Sequence, residues 1–249
     1  MTLDLKKMRA RKVALESKNG NNRFWRPQDG EQTIRIVPTA DGDPFKDYWF
    51  HYNVGDNPGF LSPKRNFGED CPLDSFVSQL WKEGTEDSKR MAKKLSARQR
   101  FFAPVMVRGE EEQGVRVWGF GKQVYEMLLN LVLNPEYGDI TDPESGTDLT
   151  IAYGKPAGAS FPVTNITPRR RSSPLCPDDP EKCSELLENI PDFDALFENS
   201  RKSFQEVQAM LDEFLLGNDP EEGSSETVKY NNDEKAATSV DKAFADLVG

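Results

Sequence analysis

The stretch RQRFFAPVMVRGEEEQGVRVWGFG, Arg98 to Gly121, constrains the fold more than any other part of the chain. Successive side chains of a strand point to opposite faces. Read with that period, Phe101, Ala103, Val105 and Val107 go one way, and Arg98, Arg100, Phe102, Met106 and Arg108 go the other. Beyond an acidic loop bracketed by Gly109 and Gly114 the pattern resumes, with Val115 and Val117 on one side and Arg116, Trp118 and Phe120 on the other. Two such runs around a glycine-bounded loop predict a β-hairpin. One of its faces is aliphatic and belongs to a core.

The opposite face mixes guanidinium groups with flat rings and has two physical readings. Cations hold phosphates, and an aromatic face is worth about 1 to 3 kcal/mol per stacked base, so the mixture suits a single-stranded nucleic acid. Alternatively, Trp118 and Phe102 cover a second core or a packed helix, and the arginines snorkel to its rim. The combination of rings and cations on two adjacent strands favours nucleic acid.

A net charge of -10 looks wrong for such a binder until it is divided along the chain. Residues 1–177 hold 26 Lys and Arg against 23 Asp and Glu, a balance of +3, whereas residues 178–249 hold 6 against 19, a balance of -13. Asymmetry of this kind marks an acidic interaction tail on a nucleic-acid-binding body. Charged residues make up 30% of the 249 and mean hydropathy is -0.70, so part of the chain is expected to contribute no core. No apolar run reaches the roughly 18 residues that span a membrane. Three cysteines, an odd number, fit a reducing compartment better than a disulfide framework. The expectation is a soluble intracellular protein.

The other elements follow from periodicity and punctuation. Residues 1–22 predict a basic helical arm carrying Lys6, Lys7, Arg9, Arg11 and Lys12. EQTIRIVPT reads as a strand with Ile34 and Ile36 inward and Arg35 outward, followed by an aromatic strand, KDYWFHYNV. PLDSFVSQLWKEG predicts a helix burying Leu73, Phe76, Val77 and Leu80. TEDSKRMAKKLSARQR reads as a charged connector that brings Lys93, Lys94, Arg98 and Arg100 to the hairpin. After the hairpin come Lys122, an apolar helix, two strands (TDLTIAYGK and FPVTNITP) and the basic run Arg169, Arg170, Arg171. About six short strands interrupted by helices predict an α+β fold, an OB-fold-like Greek-key barrel with inserted helices over residues 23–177. An acidic helical extension follows over 178–217, in which Ser203 and Glu206 form a capping box. Residues 218–249 predict a disordered acidic tail, ending in an amphipathic stub (Val240, Phe244, Leu247, Val248) that is either a docking peptide or a chance pattern at a frayed end.

The order of these features resembles the helix-destabilising single-stranded DNA-binding protein of T-even-like bacteriophages. The similarity runs through QTIRIVPT, HYNVG to EDCPLDSF, RQRFFAPVMV and GVRVWGFGKQVYEML, with the basic arm and acidic tail at either end. It implies an OB-fold core that coats single-stranded DNA cooperatively in replication, recombination and repair, in the cytoplasm of an infected bacterial host. It further implies self-association along DNA through the arm, and recruitment of replication and recombination proteins through the tail. The family's DNA-contacting strand positions fall on Arg98, Arg100, Phe101 or Phe102, Arg116 and Trp118, with Lys122 just beyond. Strand alternation prefers Phe102 as the ring facing DNA and the resemblance prefers Phe101. Arg169, Arg170 and Arg171 stand where the family has aromatic residues, a departure that shifts this region from stacking toward phosphate contact.

The resemblance also implies one zinc ion held by a histidine and three cysteines, two of them in a CxxC. His51 and Cys71 align, but Asp74 occupies the second CxxC position. Cys176 and Cys183 would have to fold back to complete a His51, Cys71, Cys176, Cys183 set, with a spacing unusual for a zinc knuckle. The expectation is that no metal is bound. No enzyme is expected either: a lone histidine, no nucleophile triad and no Gly-rich phosphate loop leave little to which chemistry can be assigned. An acidic adaptor or DNA mimic, and a single-stranded RNA-binding barrel, remain the alternative readings of the sequence.

Overall fold

The computed structural model describes residues 23–177 and 180–216, with side chains throughout except at 180–182. Its strands are β1 Phe24–Trp25, β2 Gly30–Ile36, β3 Lys46–Val54, β4 Asn57–Leu61, β5 Arg98–Val107, β6 Arg116–Phe120, β7 Leu149–Gly154 and β8 Val163–Pro168. The helices are α1 Pro63–Phe67, α2 Pro72–Glu83, α3 Glu86–Leu95, α4 Lys122–Val132, α5 Pro180–Glu188, α6 Phe193–Phe197 and α7 Phe204–Leu215. This is the expected mixed α+β class. Among the described residues no helix is long and apolar enough to cross a membrane. The expected arm with Lys6, Lys7, Arg9, Arg11 and Lys12, the acidic tail, and the stub Val240, Phe244, Leu247 and Val248 lie outside the described residues.

The chain forms two compact units that cut across the expected 23–177 and 178–217 boundaries. One comprises the described residues through Lys46 together with those of Phe101–Asp192; the other comprises Asp47–Arg100 and the described residues from Phe193 to Leu216.

In the first unit the strand order is β1-β6-β5-β2-β7-β8, with β1 parallel to β6 and the other neighbours antiparallel. Ile34 pairs with Val107 and Leu149, and Ile36 with Val105, so one face of the sheet is a continuous aliphatic patch. Trp25, Phe101, Trp118, Phe120 and Leu128 of α4 complete that core. Each such side chain contributes about 1.5 to 3 kcal/mol by leaving water. The reverse face is also covered. Val37, Met106 and Leu175 are buried there, packed with Cys176, Cys183, Leu186, Leu187 and Ile190 from the segment after β8 and from α5. With both faces occupied, every residue of β5 from Phe101 to Val107 is buried.

In the second unit β3 and β4 form a hairpin, Phe50 opposite Leu61 and Tyr52 opposite Gly59. Its turn passes through Asn53 and Gly55, both left-handed at φ 54° and 58°. Val54 and Phe60 join Leu73, Val77 and Leu80 of α2, Ala92 and Leu95 of α3, and Val207, Leu211 and Phe214 of α7 in one apolar cluster. The expected helix over 72–83 is present with its expected buried face, and the Ser203–Glu206 capping box opens α7.

The charged connector is a correction, since Glu86–Leu95 is helical. The Thr85 side chain accepts from the Ser88 N–H, and Glu86 and Asp87 occupy the first turn while Lys93 and Lys94 occupy the last, as the helix dipole favours. Its buried stripe is only Ala92 and Leu95, set among charged residues.

Candidate nucleic-acid interface

The register of the β5–β6 hairpin decides where its rings lie. Phe101 stands opposite Phe120, Ala103 opposite Trp118 and Val105 opposite Arg116. Residues directly opposite one another share a face. Trp118 and Phe120 therefore point to the side of Phe101 and Ala103, into the core, and not to the reverse face that the sequence predicts. Trp118 is 2% exposed and meets the edge of Trp25 with ring centroids 5.6 Å apart. Phe101, 6% exposed, stacks on Tyr125 of α4 at 4.0 Å. Phe102 does lie on the reverse face, but it too is fully buried. The choice between Phe101 and Phe102 as the ring presented outward thus has no winner in this conformation.

Arg35 is corrected in the same way. Alternation places it opposite Ile34 and Ile36, as expected, but that face is not solvent. Its side chain is wholly buried and pairs with the Asp148 carboxylate at 2.9 Å. Burial pulls the guanidinium pKa down, against the opposing pull of Asp148. Arg116 is buried as well, with Nη2 on Glu110 at 2.6 Å and Nη1 on Gln113 at 2.9 Å, so the acidic hairpin loop neutralises it. Arg100 is buried, and half-buried Arg98 donates to the Lys93 carbonyl at 3.3 Å.

The remaining cations face solvent. In the first unit these are Lys122, at the start of α4 and loosely paired with Glu126 at 3.7 Å, and Arg169, Arg170 and Arg171, which follow β8. In the second unit they are Lys93 and Lys94 on α3, with Lys94 over the Phe214 ring at 5.5 Å. Each unit thus keeps its own expected cations exposed, while the expected rings Phe101, Phe102 and Trp118 are buried.

The structure adds accessible rings beside cations that alternation does not reveal. In the second unit the Arg65 guanidinium lies 5.1 Å over half-buried Trp49, and Asn66 of the same short helix brackets Trp49 by accepting from its N–H and donating to its carbonyl. Phe67, 40% exposed, lies under Arg201 at 4.2 Å. The run PKRNF, two cations and a ring after a helix-starting Ser-Pro, is the signal that locates them.

The cluster around His51 is buried and hydrogen-bonded. Nδ1 donates to the Leu95 carbonyl at 2.8 Å, and Nε2 faces Asp74 Oδ2 at 3.3 Å. The same carboxylate oxygen accepts from the Ser62 hydroxyl at 2.8 Å. Burial works to raise the Asp74 pKa, but the hydrogen bond and charge of His51, with help from Ser62, hold it below the usual value. Burial pushes the Cys71 thiol up to about 11. His51, Cys71 and Asp74 bring one ligand atom each to within 4.8 Å of one another. That is one thiol, one imidazole and one carboxylate where the resemblance calls for an imidazole and three thiolates. Cys176 and Cys183 pack in the apolar cluster of the first unit. Among the described residues this group differs from the one-histidine, three-cysteine set that the resemblance implies, because a carboxylate stands at the second CxxC position.

Residues 28–215 match the gp32 DNA binding protein like family, and the chain belongs to that family of DNA-binding proteins. A search of curated proteins finds no match.

Proposed function

We propose that this protein binds single-stranded DNA without regard to base sequence, coating it cooperatively in replication, recombination and repair. The observation that carries the proposal is the exposed triplet Arg169–Arg171, in a chain whose residues 28–215 belong to a DNA-binding family. Each phosphate that a cation neutralises releases counterions, so affinity falls steeply with salt. Lys122, Lys93 and Lys94 add to the same term. Because Phe101, Phe102 and Trp118 support the core, charge carries more of the binding than stacking, and half-buried Trp49 and exposed Phe67, each beside an arginine, are rings able to add a base contact. Preferential binding to unpaired strands then lowers duplex stability by mass action.

Residues 23–177 are read as an OB-fold-like body on the strength of the sequence resemblance. Lys6, Lys7, Arg9, Arg11 and Lys12 are assigned to contact between adjacent protomers, and the acidic tail with Val240, Phe244, Leu247 and Val248 to recruitment of replication and recombination proteins. No metal takes part, a reading supported by the mismatch of the His51 cluster to zinc. The test is a titration of oligo-dT, duplex DNA and single-stranded RNA, followed by tryptophan fluorescence at two salt concentrations. Tight, salt-sensitive binding of oligo-dT over duplex is expected; equal affinity for duplex, or none for oligo-dT in dilute buffer, overturns the proposal.

A further inference from the structure

Arg169, Arg170 and Arg171 stand in solvent, yet the backbone that carries them is tied down on both sides. Before the triplet's exposed run, the Arg169 N–H donates to the Asp148 carbonyl at 2.9 Å, continuing the β7–β8 ladder by one residue. After it, the Ser173 N–H donates to the Gly146 carbonyl at 3.1 Å and the Leu175 N–H to the Pro143 carbonyl at 2.7 Å.

Buried side chains reinforce these ties. Arg35 Nη2 donates to the Ser173 carbonyl at 2.6 Å and to its hydroxyl at 2.9 Å, and that hydroxyl donates to Asp148 Oδ2 at 3.0 Å. Arg108 donates to the carbonyls of Leu175 at 2.7 Å and Pro174 at 2.9 Å. Both guanidinium groups pair with Asp148 Oδ1 at 2.9 Å. The loop bearing Gly146 closes onto this centre so tightly that a Cβ there would lie 2.5 Å from the Asp142 carbonyl oxygen and 2.8 Å from Arg35 Nη1.

The direction of these bonds is informative. A salt bridge that only braced the sheet would connect β2 to β7. Here Arg35 and Arg108 also spend donors on three successive carbonyls, those of Ser173, Pro174 and Leu175, immediately downstream of the exposed cations. We propose that Arg35, Asp148, Arg108 and Ser173 form a clamp that presents Arg169–Arg171 as a preformed phosphate-contacting edge, with Asp148 and Ser173 as positioning residues. The proposal rests on the single-stranded DNA reading above. Its physical basis is preorganisation: a segment already ordered in the free protein loses little conformational freedom when it meets the phosphates. It also accounts for a wholly buried arginine beside a surface triplet of the same charge. The anionic centre of the clamp, Asp148, is already shared between two guanidiniums and is not left to bind the triplet itself.

The experiment uses the full chain and oligo-dT across a salt series. Replacing Arg169, Arg170 and Arg171 together by alanine lowers the slope of log affinity against log salt by up to about three, one per lost phosphate contact. Ser173→Ala removes one hydroxyl from the clamp and no charge. It is expected to weaken oligo-dT binding about two- to tenfold, the range of a single hydrogen bond, and to speed trypsin cleavage after Arg169–Arg171, scored by mass spectrometry. Ser173→Thr, which keeps the hydroxyl, restores both. In the triple-alanine background Ser173→Ala causes no further loss of affinity. A folded Ser173→Ala variant with unchanged affinity and unchanged cleavage, or one that loses as much in the triple-alanine background as in the wild type, overturns the clamp while leaving the DNA reading intact. A wild-type chain that ignores oligo-dT overturns that reading and the clamp with it.

Discussion

Arg35 and Asp148 form an ion pair of 2.9 Å in which the guanidinium has no solvent exposure, and Arg108 shares the same carboxylate oxygen at the same distance. One anion thus compensates two cations in a low-dielectric setting. Removing one partner of a buried pair typically costs about 3 to 5 kcal/mol, because the other charge is left uncompensated. Asp148→Ala is expected to fall in that range by urea denaturation. Arg108→Ala is expected to cost less, because Asp148 keeps Arg35 and the Arg108 side chain is already partly exposed. Equal losses would mean that the two arginines do not depend on a common anion.

Trp118 offers a sharper separation of roles. A ring on a binding surface, when truncated, costs affinity and leaves stability alone; a ring in a core does the reverse. With Trp25 against its edge and Phe120 at 4.7 Å, Trp118→Ala is expected to destabilise the protein by about 3 to 5 kcal/mol. Circular dichroism during urea unfolding measures this. A loss of oligo-dT affinity without a change in the unfolding midpoint would return Trp118 to the DNA surface.

These two residues also show what the sequence could and could not disclose. The aliphatic rows of Ile34, Ile36, Val105 and Val107 are visible as period-two patterns because each alternates within its own strand. The face of Trp118 is not visible, because it depends on the parity of the register across loop 108–115, and a shift of one residue exchanges the faces. Alternation places Arg35 on the correct side of β2, but what encloses it there is the Asp142–Asp148 loop and Ser173, more than 100 residues away in the chain. Local pattern cannot report such a contact. The capping box of Ser203 and Glu206 was legible because all its atoms lie within four residues. Asp148, which organises the clamp, has no local signature at all, whereas the exposed cations Lys93, Lys94, Lys122 and Arg169–Arg171 are legible from their places beside predicted elements.

The same capping box carries a pH dependence. The Ser203 N–H and hydroxyl both donate to Glu206 Oε2, at 2.7 and 2.8 Å, and hold its carboxyl below the usual value. A depressed folded-state pKa stabilises the protein above the ordinary glutamate value of about 4.3, and that contribution is lost as pH falls through the lower folded value. At neutral pH, Ser203→Ala is expected to cost about 1 kcal/mol through loss of the cap. The gap between wild type and variant should narrow in acid, read from melting temperatures between neutral pH and about pH 3. A gap independent of pH would remove Glu206 from the account.

The His51 cluster yields a prediction about metal. If hydrogen bonds alone hold it, exhaustive dialysis against a chelator leaves the melting temperature unchanged, and elemental analysis of the untreated protein finds no stoichiometric zinc. Asp74→Ala then destabilises by about 1 to 3 kcal/mol, since the buried Ser62 hydroxyl and the His51 ring lose their shared acceptor. One zinc per chain, with a chelator-dependent fall in melting temperature, would show that three side chains suffice for a metal centre here.

The acidic carboxyl-terminal residues supply the last prediction. Residues 218–249 hold three lysines against eight Asp and Glu, a net charge of -5, in a protein whose exposed cations include Lys93, Lys94, Lys122 and Arg169–Arg171. A tethered anionic segment competes with DNA phosphates for the same cations, and the competition is strongest where screening is weakest. The Debye length is about 30 Å at 0.01 M salt and about 8 Å at 0.15 M. Deleting residues 218–249 is therefore expected to raise oligo-dT affinity several-fold in dilute buffer, with the advantage shrinking as salt rises. Parallel titrations of the intact and shortened chains across that range decide the point: curves that coincide at every salt concentration would mean that these residues never compete for the cations that hold the strand.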